Sequence, residues 1–134
     1  MSLFVDTSVW SLALRRDGET SAPEVSRLHE GLAARESIFT TGLVLQELLQ
    51  GFHGPKARDA IIDRFAALPT ITPDREDHIA AAGILNSCRR RGVQVGTIDA
   101  LLVRLCLRHE LVMLTRDDDF RQAARHVPFK VWSA

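Results

Sequence analysis

Leu3-Phe4-Val5-Asp6-Thr7-Ser8-Val9-Trp10 is the stretch on which the fold turns. It opens as a short apolar run, the signature of a buried strand. The run stops at a carboxylate, and Thr7 and Ser8 hand over to a helix reaching about Leu14, with either hydroxyl as its candidate cap. An acid at the carboxyl end of a buried strand sits at the mouth of an open α/β sheet, where such folds bind ligands. The plainer reading of Asp6 is a helix or turn cap, and spacing alone leaves the two even.

The pattern repeats outward from that stretch. Arg15 to Thr20 is polar, holds Gly18 and reads as a loop. Ser21-Ala22-Pro23-Glu24 fits a capping box, with Ser21 capping and Glu24 reaching back, ahead of a helix to about Arg35. Ser37 to Thr40 is β-prone, Gly42 breaks it, and Leu43 to Gln50 is a short helix ended by Gly51. Pro55 opens a helix whose stripe of Ile61, Phe65 and Leu68 stops at Pro69, and Thr70 to Thr72 is a minor strand. Asp74 caps a long helix through Arg91, with Asp77 in its first turn, basic residues in its last and Gly92 beyond, an order that suits the helix dipole. Val93 to Val95 reads as a short extended piece. An apolar helix then runs from Ile98 to about Arg108, and Leu111 to Thr115 is a buried strand. Asp117-Asp118-Asp119 opens a helix to about His126, and Pro128 to Trp132 reads as an edge strand. Strands alternating with helices predict an α/β chain with a central parallel sheet flanked by helices in three layers.

Composition narrows the classes. The chain has 134 residues, the size of one domain, so residues 1–134 are expected to form a single unit. At 46% hydrophobic it can bury a core, and 17 Lys+Arg balance 17 Asp+Glu. Nucleic-acid contact must therefore come from local patches, not from bulk charge. Cys88 and Cys106 lie in apolar helical contexts and suggest no disulfide framework. No stretch has the length of a membrane span, so the expectation is a soluble, cytoplasmic chain without membrane contact.

Four acids carry the chemistry. Glu47 is the sole charge of Leu43-Val44-Leu45-Gln46-Glu47-Leu48-Leu49, and a lone carboxylate on an apolar segment is costly unless it is paired, solvated or bound to a cation. Asp99 opens a helix that is nearly all apolar, where the dipole favours it and Thr97 is a candidate cap. Asp117 follows a strand with Asp118 and Asp119 beside it, and alternation would aim Thr115, Asp117 and Asp119 at one site while Asp118 faces water. If Asp6, Glu47, Asp99 and Asp117 meet, they cannot all stay ionised without a cation. Such hard oxygen donors suit Mg²⁺ or Mn²⁺, and the scattered His29, His53, His78, His109 and His126 offer no zinc spacing.

Val5-Asp6-Thr7-Ser8-Val9-Trp10, Leu45-Gln46-Glu47-Leu48-Leu49-Gln50-Gly51, Gly96-Thr97-Ile98-Asp99-Ala100-Leu101 and Leu114-Thr115-Arg116-Asp117-Asp118-Asp119-Phe120 together resemble the PIN-domain family, and within it the VapC-type toxins of bacterial toxin–antitoxin pairs. The resemblance spans nearly the whole chain. It implies a central parallel sheet and a Mg²⁺- or Mn²⁺-dependent ribonuclease site at Asp6, Glu47, Asp99 and Asp117, often joined by an acid at Asp119. It implies metal-activated hydrolysis of an RNA phosphodiester, in tRNA or rRNA, with Thr7, Ser8 and Thr115 hydrogen-bonding the carboxylates or a metal-bound water. Homodimers and a VapB-type antitoxin inserted near the site are usual in that family. Leu43, Leu48, Leu49 and Phe52 are candidates for its groove, although core packing explains them as well.

Arg15, Arg16 and Arg116 lie near the expected mouth and are candidate phosphate contacts. Arg89-Arg90-Arg91 reads as a solvated helix end, and Trp10 as a core or dimer contact. A non-catalytic RNA- or protein-binding PIN domain is the alternative. A phosphoacceptor with Asp6 as nucleophile fits poorly, because Ser8 stands where the haloacid-dehalogenase pattern needs a second Asp.

Overall fold

A computed structural model describes residues 1–15 and 22–134. The expected loop Arg15–Thr20, beyond Arg15 itself, and the Ser21 cap lie outside the described residues. The elements are β1 (Leu3–Val5), α1 (Thr7–Leu14), α2 (Pro23–Ala33), β2 (Ile38–Thr41), α3 (Gly42–Gly51) and α4 (Pro55–Ala66), then β3 (Thr70–Ile71), α5 (Arg75–Arg90), α6 (Thr97–Arg108), β4 (Val112–Leu114), α7 (Asp118–Ala123) and β5 (Lys130–Val131). Every strand pair is parallel, and the order is β3-β2-β1-β4-β5. β1 aligns Leu3 with Ile38 on one side and with Val112 on the other. The chain therefore leaves β1 toward β2 and later returns to lay β4 on its opposite edge. That reversal is a topological switch point, where the strand ends part and leave a crevice.

The central strand is buried on both faces, as parallel sheets are: Leu3, Phe4 and Val5 are wholly buried. Trp10 packs on Phe65 at 5.0 Å with the rings tilted, so it is a core residue. α6 is buried almost all round, through Ala100, Leu101, Leu102, Val103, Leu105 and Cys106. Val93–Val95 forms no strand. Instead Val93 N–H donates to the Cys88 carbonyl at 2.9 Å and Gly92 N–H to the Arg89 carbonyl at 3.1 Å, with Gly92 at φ +76°. This is a Schellman closure of α5, which ties those residues to the helix end and away from the sheet.

Asp77 does more than favour a helix dipole. It completes a capping box with Asp74, and its carboxylate, with no exposed side-chain surface, accepts from Arg104 Nε at 3.0 Å and Arg108 Nη1 at 2.6 Å. Burial pushes its carboxyl up, but the Asp74 N–H and the two guanidinium groups outweigh burial and hold it below the usual carboxylate range. Asp77 thus fastens α5 to the second half of α6.

Removing Asp77 strands the Arg104 guanidinium and leaves Arg108 only Asp74, at 3.4 Å, so Asp77→Ala is expected to cost about 2–4 kcal/mol in urea unfolding at neutral pH. Because its folded-state pKa is lowered, this stability is present above pH 3.8, the ordinary value, and fades as pH falls below it. A loss under about 1 kcal/mol would show that the cluster does not fasten the helices.

Candidate functional site

Asp6 is the first residue past β1. Its N–H still donates to the Leu114 carbonyl at 3.0 Å, so the backbone keeps sheet geometry up to the point where the side chain turns into the crevice. It is the N-cap residue of α1 but makes no side-chain cap bond. Neither Thr7 nor Ser8 caps that helix: both hydroxyls are drawn to carboxylates. Ser8 Oγ donates to Asp6 Oδ2 at 2.7 Å and Thr115 Oγ1 donates to the same oxygen at 2.8 Å. Thr7 Oγ1 donates to Glu47 Oε1 at 3.1 Å. Asp6 Oδ1 accepts no hydrogen bond among the described residues.

The segment after β4 folds over this carboxylate in two-residue steps. Asp117 N–H donates to Thr115 Oγ1 and Asp119 N–H to Asp117 Oδ1, both at 2.9 Å. Asp117 caps α7, so a capping turn sets the positions of Asp117 and Asp119, not the strand alternation expected from sequence; β4 has already ended at Leu114. Asp118 is exposed, as expected.

Asp99 lies in the first turn of α6, whose N-cap is Gly96 with no side-chain cap bond, so Thr97 does not cap it. Its carboxyl is pushed up to about 6, first by burial and then by the charges of Asp6, Asp117, Glu47 and Asp119. Asp6 also acts on the next turns of the same helix, where burial and then its charge raise the Cys106 thiol. The structure thus brings Asp6, Glu47, Asp99, Asp117 and Asp119 into one electrostatic field at the switch point. Among the described residues no three such side chains already converge as a formed metal site.

Other buried acids are neutralised. Glu24 accepts from Arg116 Nη1 at 3.0 Å and Arg121 Nη2 at 3.3 Å. Glu36 takes both guanidinium nitrogens of Arg27 at 2.7 Å. None of the five field acids has an ion pair among the described residues. Their donors are all hard carboxylate oxygens, those of Asp6 and Glu47 braced by hydroxyls, which fits a cation such as Mg²⁺ or Mn²⁺.

Of the candidate phosphate contacts, Arg15 is exposed at the end of α1, Arg116 is engaged by Glu24, and Arg16 lies outside the described residues. Glu24 reads in the sequence only as a capping acid, and its pairing with Arg121, 97 positions away, has no local pattern to mark it. Leu43, Leu49 and Phe52 are partly buried against the core. Leu48 is core, while Leu43 and Phe52 line separate cavities of about 370 and 190 Å³.

Asp99 carries a stability signature. Its folded carboxyl keeps a proton up to about pH 6, whereas the unfolded chain releases it near 3.8, so stability falls as pH rises through that window. Asp99→Asn removes the penalty and is expected to raise unfolding stability in EDTA at pH 7.5 by about 1–2 kcal/mol, after allowance for solvent screening. The gain should vanish near pH 4; a variant no more stable at pH 7.5 than at pH 4, relative to the parent, would remove Asp99 from the field.

Three similarities place this geometry. The chain resembles FitAcB from Neisseria gonorrhoeae, at 18% identity and a TM-score of 0.72 over 98% of this chain and 96% of that one. It resembles VapBC2 from Rickettsia felis, solved with a DNA fragment from its promoter, at 18% and 0.73 over 99% and 98%. It also resembles VapC20 from Mycobacterium tuberculosis, described as a sarcin-ricin loop cleaving toxin, at 19% and 0.68 over 91% and 95%. At these identities the likeness is one of fold. No curated protein matches the chain. The profile of the PIN domain matches residues 3–126, nearly the whole polypeptide from β1 past α7, and the chain belongs to the PIN-domain family.

Proposed function

We propose that this chain is a Mg²⁺- or Mn²⁺-dependent endoribonuclease acting as the toxin of a toxin–antitoxin pair. The observation that carries this reading is the field on Asp99: burial and then four further acids raise its carboxyl, and none of the five has a basic partner among the described residues. Folding does not crowd unpaired carboxylates at a switch point for stability, since each raises the cost of ionising the next. Asp6, Glu47, Asp99 and Asp117 would hold the cation, with Asp119 beside them. A divalent cation there lowers the pKa of water and neutralises charge building on a phosphodiester.

The chain's own residues do the positioning. Ser8 and Thr115 fix the Asp6 rotamer by donating to Oδ2, which leaves Oδ1 without a hydrogen-bond donor among the described residues. Thr7 steers Glu47 from the neighbouring helix, and Asp117 is held by the Asp119 N–H. Glu24, by engaging Arg116 and Arg121, fastens the β4–α7 segment that carries Asp117.

The toxin reading rests on PIN membership and on fold likeness to VapBC and FitAB assemblies. RNA is the substrate, with tRNA or rRNA as the expected targets; the M. tuberculosis relative is described as a sarcin-ricin loop cleaving toxin. A VapB-type antitoxin, a homodimeric assembly and a cytoplasmic location belong to the same proposal. No helix of the described residues is long and apolar enough to cross a membrane.

Purified protein, free of antitoxin, should cut cellular RNA in Mn²⁺ and stop in EDTA, and Asp99→Asn or Glu47→Gln should lose on the order of 100-fold or more in rate. Independently of activity, Mn²⁺ should raise the melting temperature of the parent, by the equivalent of about 2.7 kcal/mol at a hundred times Kd, and not that of Asp99→Asn. Protein that binds RNA in EDTA, cuts none and shows no Mn²⁺ shift would be a non-catalytic RNA-binding PIN domain.

A further inference from the structure

A second feature adjoins the acids. A cleft of about 510 Å³ is lined by Arg89, Gly92, Gln94, Gly96 and Asp119, with the intervening backbone. It shares two walls with the acidic edge. Asp119 belongs to both, and a methyl group placed on Gly96, which lines the cleft, would stand 3.8 Å from Asp99 Oδ2, so the Asp99 carboxylate lies next to that wall. Its volume falls within the roughly 300–1,000 Å³ of small-molecule sites.

The lining has the chemistry of a nucleotide site. Arg89 is exposed at the end of α5 and has no ion pair among the described residues. The Schellman closure engages the N–H groups of Gly92 and Val93 on α5, but those of Gln94, Val95 and Gly96 donate to no carbonyl or side chain among the described residues. A guanidinium lining the same cleft as a run of free N–H groups suits a phosphate. Gln94, also exposed, is the one lining side chain with both donor and acceptor, which suits the edge of a base.

We propose that this cleft holds the nucleotide adjoining the scissile phosphate of a single-stranded RNA, with Arg89 on that nucleotide's own phosphate and Gln94 against its base. The proposal rests on the ribonuclease reading and deepens it. A strand whose scissile phosphate lies at the acids must leave the site in some direction, and the cleft is contiguous with them. The chain carries no net charge, so a single well-placed cation weighs heavily.

The test uses the full chain and a short fluorescein-labelled oligoribonucleotide of random sequence. Affinity is read by anisotropy in EDTA, so that the strand stays whole, between about 50 and 200 mM salt. Arg89→Gln should weaken binding about 5- to 10-fold and flatten the slope of log K against log salt by about 0.7, the loss of one phosphate on a single strand. Arg90→Gln, one residue along and not in the lining, removes the same charge and should change affinity less than about twofold. Gln94→Ala should alter the bases found beside the cut in Mn²⁺. Equal losses for Arg89→Gln and Arg90→Gln, no loss for either, or a parent that binds no RNA would overturn the inference, while the Mn²⁺ melting shift still tests the acids on their own. An Arg89 effect on binding without any cleavage would overturn the placement beside a scissile bond, and the ribonuclease reading with it.

Discussion

Asp6 leaves β1 where the sheet order reverses, and its carboxylate is held there by two hydroxyls, one from the next turn of its own helix and one from the end of β4. Everything at the acidic edge follows from that anchorage. Thr115 is wholly buried and serves as acceptor for Asp117 N–H while it donates to Asp6. One side chain therefore sets both the rotamer of the first acid and the path of the segment carrying the next two. A carboxylate buried without such donors would be driven to protonate or to turn outward.

The acids held within the fold and at its acidic edge fall into two groups. Glu24, Glu36 and Asp77 each hold arginine, and the structural work they do is visible: they join elements far apart in sequence. Asp6, Glu47 and Asp117 of the field accept from hydroxyls or a backbone N–H group instead, which orient a carboxylate without cancelling its charge. That difference in partners, more than the count of acids, distinguishes a site from a network of surface ion pairs.

Much of the fold was legible because its signals are local. Leu3-Phe4-Val5 and Leu111 to Leu114 are apolar runs that burial on both faces of a parallel sheet requires, and Asp74 with Asp77 is a cap that spacing alone predicts. The acids stood out for a related reason, as charges on apolar segments. What the sequence hid is long-range. The burial of Asp77 depends on arginines 27 and 31 positions away, and Glu24 on two more beyond ninety. Val93 to Val95 shows the opposite failure: a β-branched pair looks extended, but the Schellman closure at Gly92 had already committed that backbone to the helix end.

α6 joins these threads. Its first turn carries Asp99 into a field of like charge that works to push it away, and its apolar body resists any such shift because nearly every face is packed. Its second half is fastened to α5 by Arg104 and Arg108 on Asp77. The two carboxylates therefore oppose each other in pH: Asp77 favours the fold when ionised, and Asp99 favours it when protonated. A helix loaded with repulsion at one end and ion-paired at the other keeps its strained carboxylate in place because the attraction is built where the site is not. The same α5 also ends in the Gly92 turn that shapes the cleft beside Asp119, so the pair of helices that holds Asp99 against its neighbours also forms the wall along which a strand of RNA would leave.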